Sequence, residues 1–270
     1  MPRHFAVVTT FNEKGLADYG ERFLTAFDQH WPSDVMLYAY HEGLKPDVQS
    51  SQITYIDLEE RCPDLVAFKK RHAQDKIVHG TLADGDYGYR MDAVRFAHKV
   101  FALVDCGLSV GADVLFWLDT DSVTFADVPT ALLEEVMPKD VYTSYLGRPH
   151  TYSECGFVGY ALTHPRHAEF MEFWRHLYLD DSLFELPEWH DSFVYDMVRN
   201  TFENTLQDFK SYNIAGKDVP SDHPFINSVL GQYMDHMKGA TRKDERRSFN
   251  DDLVVQRDEA YWQKKQVLRL

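Results

Sequence analysis

Near the middle of the chain, Val114-Leu115-Phe116-Trp117-Leu118 runs apolar without a break and stops at Asp119-Thr120-Asp121. A half-wetted strand would alternate apolar and polar residues. This one does not, so Asp113 to Leu118 reads as a strand buried on both faces, as in the mostly parallel centre of an α/β fold. Such a strand needs helices above and below it. With 44% hydrophobic and 14% aromatic residues, the chain has the apolar surface to build both layers, which excludes a disordered protein.

The flanking pattern agrees. Phe5-Ala6-Val7-Val8 is a short apolar strand followed by a polar loop from Thr9 to Gly15. Leu16, Tyr19, Phe23, Leu24 and Phe27 recur at helical spacing, which predicts a helix from Leu16 to His30. Val35 to Tyr40 and Ile53 to Leu58 read as the next two strands, and Cys62 to Asp86 as helix plus loop. A stronger helix is expected over Arg90 to Cys106, before the central strand. After it come strands at Val141 to Leu146 and Gly156 to Leu162, helices at Arg166 to Tyr178 and Asp191 to Phe202, and a charged, helix-prone tail from Lys238. At 270 residues, with no repeat and no long linker, one domain spanning 1–270 is expected. Its nucleotide-binding part would be about 1–125 and its acceptor and C-terminal part about 126–270.

The formal charge of −15 argues against nucleic acid or an anionic membrane as partner. Cys62, Cys106 and Cys155 are odd in number and form no CxxC pair, which excludes a zinc knuckle or a disulfide framework. With no signal-like start and no apolar span of membrane length, a cytoplasmic protein is expected.

Two segments can carry chemistry. Asp119 and Asp121 are two residues apart at the end of a buried strand, where α/β sheets bind ligands. In extended backbone both side chains lie on one side and can face one divalent cation, Mg2+ or Mn2+, that neutralises a diphosphate. A plain turn after the strand also favours Asp. Farther on, His236, Lys238, Gly239, Arg242 and Lys243 fall within eight residues, a local basic cluster on an acidic chain. It can supply a nitrogen ligand and cations for phosphate oxygens, or be a solvated tail.

A strand ending in DxD followed late by His-Met-Lys-Gly resembles the metal-dependent nucleotide-sugar glycosyltransferases of the GT-A fold. In layout it is nearest the glycogenin and lipopolysaccharide galactosyltransferase group, family 8. The resemblance implies a Rossmann-like, mixed, mostly parallel sheet flanked by helices, with a C-terminal helical tail. It also implies Mn2+ (or Mg2+) held by Asp119, Asp121 and His236, with Thr120, Lys238, Gly239 and Arg242 along the donor diphosphate. The activity implied is transfer of a hexose from a nucleotide diphosphate sugar, UDP-linked in that group, to a hydroxyl acceptor on a saccharide or glycoconjugate, with retention. The chain departs from the family's usual ending in lacking Pro-Trp after this segment.

The same likeness assigns Thr9, Thr10, Phe11 and Asn12 to the nucleoside, and Arg90 and Arg95, ahead of Lys99, to the donor. Asp191 would touch the donor sugar, although it can equally begin its helix as a cap. Glu154 would bind a sugar hydroxyl or act as base, or be a solvated loop carboxylate. Trp189, Tyr152 and Tyr145 are candidate stacking surfaces for a sugar ring. Two rival readings are a haloacid-dehalogenase-type phosphatase using Asp119 and Asp121, and a nucleotide-sugar-binding protein without turnover.

Overall fold

The central apolar run is β4 (Val114–Leu118), and every residue of it is buried in the computed structural model, which describes residues 2–215 and 221–263. It lies in a seven-stranded sheet of order β3-β2-β1-β4-β7-β6-β8. The strands are β1 (Phe5–Asn12), β2 (Met36–Glu42), β3 (Ile53–Asp57), β6 (Thr143–Leu146), β7 (Glu154–Ala161) and β8 (Ser211–Asn213). The β1, β2, β3 and β4 strands pair in parallel, whereas β7 runs antiparallel to both β4 and β6. The fold class is therefore the expected one, an α/β architecture with a mixed, mostly parallel sheet flanked by helices.

Alternation along each strand feeds two separate cores. Ala6, Val8, Leu115 and Trp117 face α2 (Pro63–Arg71), α3 (Ala93–Ser109), α5 (His167–Leu179) and α6 (Asp191–Thr205). Phe5, Val7, Val114, Phe116 and Leu118 face α1 (Glu21–His30) and α4 (Thr130–Val136). Asp92, whose carboxylate accepts the Arg95 N–H at 3.1 Å, caps α3. That cap sets the start of the helix at Ala93 rather than Arg90, and the residues before it, Tyr89–Met91, form a 3-10 turn.

Two expectations change. The segment after Val8 is not a loop: β1 continues to Asn12, because the Thr9 and Thr10 hydroxyls donate to the carbonyls of Leu118 and Tyr40 at 2.6 and 3.0 Å and hold the chain in the sheet. The helix at Leu16 begins as a π-helical turn, Leu16–Gly20, before α1. The tail from Lys238 is broken into short helical pieces among the described residues. Among the described residues its helices are α7 (Gly239–Glu245) and single turns at Asn250–Asp252 and Ala260–Gln263. It is anchored by a second, two-stranded sheet of β5 (Ser122–Thr124) and β9 (Met234–His236). All three cysteines are free and buried. No helix among the described residues is long and apolar enough to cross a membrane.

Candidate functional site

The chain runs from β1 outward through β2 and β3, then returns to place β4 on the other side of β1. That reversal opens a crevice beyond the carboxyl ends of β1 and β4, where open α/β sheets bind ligands. Asp119 and Asp121 stand there. The turn that carries them is closed by Ser122 N–H donating to the Asp119 carbonyl at 3.1 Å, and it leads directly into β5. Pairing of β5 with β9 sets Ser122 opposite His236, and Met237 N–H donates to the Asp121 carbonyl at 2.9 Å. A distant segment is thereby locked beside the DxD turn.

His236 Nε2 lies 3.1 Å from Asp121 Oδ1 and 3.7 Å from Asp119 Oδ2. Ligand atoms of the three side chains all fall within 4.8 Å of one another, a two-carboxylate, one-imidazole set suited to Mn2+ or Mg2+. The other ring nitrogen, Nδ1, is 2.7 Å from Glu154 Oε1, the carboxylate–histidine arrangement that orients a metal-binding imidazole. Gly156 makes room for the ring: a Cβ there would lie 2.5 Å from His236 Cε1. The donor set, its buried carboxylate support and this fitted slot all suit a divalent cation.

The charges are tightly balanced. Burial alone would lower the imidazole, but the Asp121 and Glu154 carboxylates push His236 up to about 10. Burial alone would raise the carboxyls, but His236 and Lys243 hold Asp121 well below the usual range, and Lys238 and His223 do the same for Glu154. Lys243 Nζ is 2.7 Å from Asp121 Oδ2 and sits over the Tyr19 ring. On the opposite wall, Lys99 Nζ donates to Asp119 Oδ1 at 3.2 Å, Asp191 Oδ2 at 2.7 Å and the Cys155 carbonyl at 2.7 Å. Trp117 Nε1 also donates to Asp119 Oδ1, at 2.6 Å, so only Oδ2 of that carboxylate faces His236. Burial opposes the charge on Lys99, yet the Asp119 and Asp191 carboxylates hold its pKa above the ordinary lysine value.

Asp119, Asp121, Asp191, Lys99 and Lys243 line an inner pocket of about 180 Å³ with Thr10, Phe11, Asn12, Thr120 and Arg95. It adjoins an outer cleft of about 1010 Å³, to which Tyr87, Tyr89, Arg95 and Gly239 contribute. Gly239 takes φ +78°, a left-handed conformation that begins α7 and favours glycine. Other candidates lie elsewhere. Thr9 is buried and ties β1 to β4. Arg90 pairs with Glu188 at 2.9 Å, away from the aspartates. Lys238 is held by Glu154 at 3.3 Å and by the Asp222 carbonyl at 3.2 Å, and Arg242 is clamped on Asp252. Both border a neighbouring cavity of about 450 Å³.

Glu154 is neither a loop residue nor an open base. It begins β7, is 3% exposed and is enclosed beneath His236. Asp191 is not the helix cap, since His190 fills that position and Asp191 turns inward to Lys99. Of the proposed stacking rings, Trp189 is buried and Tyr145 is covered by the Arg199 guanidinium at 4.2 Å, while Tyr152 packs against His190. The sequence reading ranked Lys99 behind its neighbours and left Lys243 without a role of its own. A usable signal existed for Lys99: it sits among Ala97, Val100, Phe101 and Ala102 of an apolar helix, where a lysine is buried only against a carboxylate.

No family model and no curated protein matches the chain. It is similar to the crystal structure of mouse xyloside xylosyltransferase 1 in its apo form, at 10% identity over 78% of this chain and 86% of that one, with a TM-score of 0.47. A likeness so distant carries no statement about activity. An O,O,N metal set, a lysine ammonium on Asp121 and a polar crevice at a sheet switch point together suit a ligand carrying phosphates.

Proposed function

We propose that the protein is a metal-dependent glycosyltransferase that moves a hexose from a nucleotide diphosphate sugar, UDP-linked by the resemblance of its motifs, to a hydroxyl acceptor on a saccharide or glycoconjugate. The observation that carries this reading is the meeting of Asp119, Asp121 and His236 at the carboxyl end of β4, with Glu154 behind the imidazole. A divalent cation held by these three would stabilise the negative charge that develops on a leaving diphosphate. The chain's own residues complete the site. Lys243 presents an ammonium group where diphosphate oxygens would lie, and Lys99 pairs with Asp119 and Asp191 and fixes them. Thr10 and Asn12 border the same pocket at the end of β1.

Retention of configuration is the favoured stereochemistry. An inverting transferase needs a carboxylate free to take the acceptor proton. Glu154 is enclosed under His236, and Asp191 is bound to Lys99, so neither of these candidates is free.

The test is a calorimetric and activity screen of nucleotide sugars with and without Mn2+. At least one donor is expected to bind and to be hydrolysed or transferred only when the metal is present. Asp121→Ala should abolish that activity while the protein stays folded. Full activity in EDTA would remove the metal from the reading, and absence of binding by every donor would overturn the reading altogether.

A further inference from the structure

Single exposed rings are ordinary on a protein surface, but two on one short segment lining a large cleft mark a contact surface. Tyr87 and Tyr89 are 59% and 49% exposed, and both line the outer cleft of about 1010 Å³. Neither borders the inner pocket that holds the aspartates.

The segment that carries them is built to hold the first ring still. Gly88 N–H donates to the Gly80 carbonyl and Leu82 N–H to the Asp86 carbonyl, each at 2.8 Å, and Thr81 pairs with Tyr87 in an antiparallel bridge. Gly80 takes φ +76°, and a Cβ on it would lie 2.6 Å from Tyr87 Cε2, so glycine lets the ring settle against that backbone. The Tyr87 hydroxyl donates to Asp92 Oδ2 at 2.8 Å and accepts from Arg95 Nη1 at 3.2 Å. The ring is pinned at its hydroxyl end to the start of α3, yet it remains open to the cleft. A surface fixed in this way loses little freedom when a ligand lies on it.

The place of the segment says which ligand meets it. The Tyr89 ring stands edge-on to His190 at 5.6 Å, and the Trp189 N–H donates to the Arg90 carbonyl at 2.7 Å. The tyrosines are thus fastened to the residues just before Asp191, which Lys99 ties to Asp119 after β4 and to Cys155 of β7. Thr10 and Asn12 stand on the other side, at the end of β1. A donor with its phosphates at Asp121 and Lys243 and its nucleoside over β1 leaves the tyrosine side to the molecule that receives the sugar. That side is a flat phenol face with charged groups at its margin, Asp92 and Arg95 among them. A pyranose is its complement, with a face of C–H bonds edged by hydroxyls. A lipid tail would instead bury those charges against hydrocarbon.

We propose that Tyr87 and Tyr89 form an acceptor platform on which a pyranose ring of the acceptor stacks, so that the reaction extends a glycan already in place. The inference rests on the nucleotide-sugar reading above and adds to it a site outside both the metal cluster and the inner pocket.

Acceptor kinetics test it, with Mn2+ and whichever of UDP-glucose, UDP-galactose and GDP-mannose the wild type hydrolyses. The acceptors are the methyl glycosides of glucose, galactose, mannose and xylose, with glycerol and a serine-containing peptide as hydroxyl sources that carry no ring. At least one glycoside should accept the sugar at a lower KM than glycerol or the peptide. Tyr87→Leu and Tyr89→Leu should each raise that KM about fivefold, the worth of one stacked ring, with the donor KM unmoved. Tyr87→Phe and Tyr89→Phe keep the ring and should retain most of the acceptor affinity, which guards against a misplaced segment. A wild-type acceptor KM in both leucine variants, an equal loss in the phenylalanine variants, or a preference for the peptide would overturn the proposal. Donor hydrolysis without transfer to any glycoside would overturn the platform alone. If the wild type hydrolyses no donor, the nucleotide-sugar reading falls and the platform with it.

Discussion

The two walls of the metal cluster are built in different ways. One belongs to the main sheet: Asp119 at the end of β4, Lys99 on the seventeen-residue α3 and Asp191 on α6. The other arrives from the C-terminal region: His236 on the three-residue β9 and Lys243 on the seven-residue α7, which starts at a left-handed glycine. Each wall contributes a lysine to the aspartates, but the two lysines are held unlike one another. Lys99 has three oxygen partners and a side chain 9% exposed, whereas the Lys243 ammonium pairs, among the described residues, with the Asp121 carboxylate and its side chain is 27% exposed. The first is a fixed part of the scaffold. The second is a counter-cation that an incoming ligand can take over.

The largest expected effect follows from the first wall. Lys99→Met would leave the Asp119 and Asp191 carboxylates without their buried cation, and breaking such a group costs about 3–5 kcal/mol of stability. Chemical denaturation of the variant against the wild type measures it. A loss below about 1 kcal/mol, the range of an exposed ion pair, would erase the distinction between the two lysines.

Glu154→Gln probes the support behind the second wall. The amide keeps the volume but removes the charge that orients His236 through Nδ1. Loss of a partner of this kind costs about 10–100-fold in metal affinity. Titration with Mn2+ followed by electron paramagnetic resonance reads this directly, without any donor or acceptor. Unchanged affinity would mean that β9 alone places the imidazole.

The second wall should also be the pH-sensitive one. In the metal-free fold His236 titrates up at about 10, against about 6.5 for an unfolded histidine. Between those values the native state holds a proton that the unfolded chain has lost. Its stabilising contribution is therefore complete below about pH 6.5 and is lost as the pH rises toward 10, at up to about 1.4 kcal/mol per pH unit. Melting of the EDTA-treated protein from pH 7 to 9.5 should show this decline, and His236→Gln should flatten it. An equal decline in the variant would assign it to other groups.

What could be read in the sequence divides along the same line. The first wall was legible because its elements are long or strongly patterned. Val114 to Leu118 has no polar break, and Asp119 and Asp121 mark its end. The second wall was not, because β5 and β9 have three residues each, too few to show a period, and they pair across a long stretch of chain. His236 was found through its motif, but its support was not: Glu154 is an ordinary-looking carboxylate until β7 sets it under the imidazole. The basic cluster was legible as a cluster only. Which of its members reaches the aspartates depends on the turn of α7, which sends Arg242 to Asp252 and Lys243 to Asp121.

The smallest effect, and the sharpest on the comparison, belongs to Lys243→Met. The side chain is partly exposed and has one ionic partner, so stability should change by less than about 1 kcal/mol. Metal binding should respond in the opposite sense to a simple loss of site. Lys243 pairs with Asp121, one of the three candidate metal ligands, so its ammonium and a divalent ion compete for the same carboxylate. Without the ammonium, Mn2+ alone should bind a few-fold more tightly. A nucleoside diphosphate offered with Mn2+ should bind more weakly, because a charge-assisted contact to its phosphates is gone. The opposite signs matter more than either size. If Lys243→Met weakened Mn2+ binding in the absence of nucleotide, Lys243 would be supporting the metal site as Lys99 does, and the two walls would be alike after all.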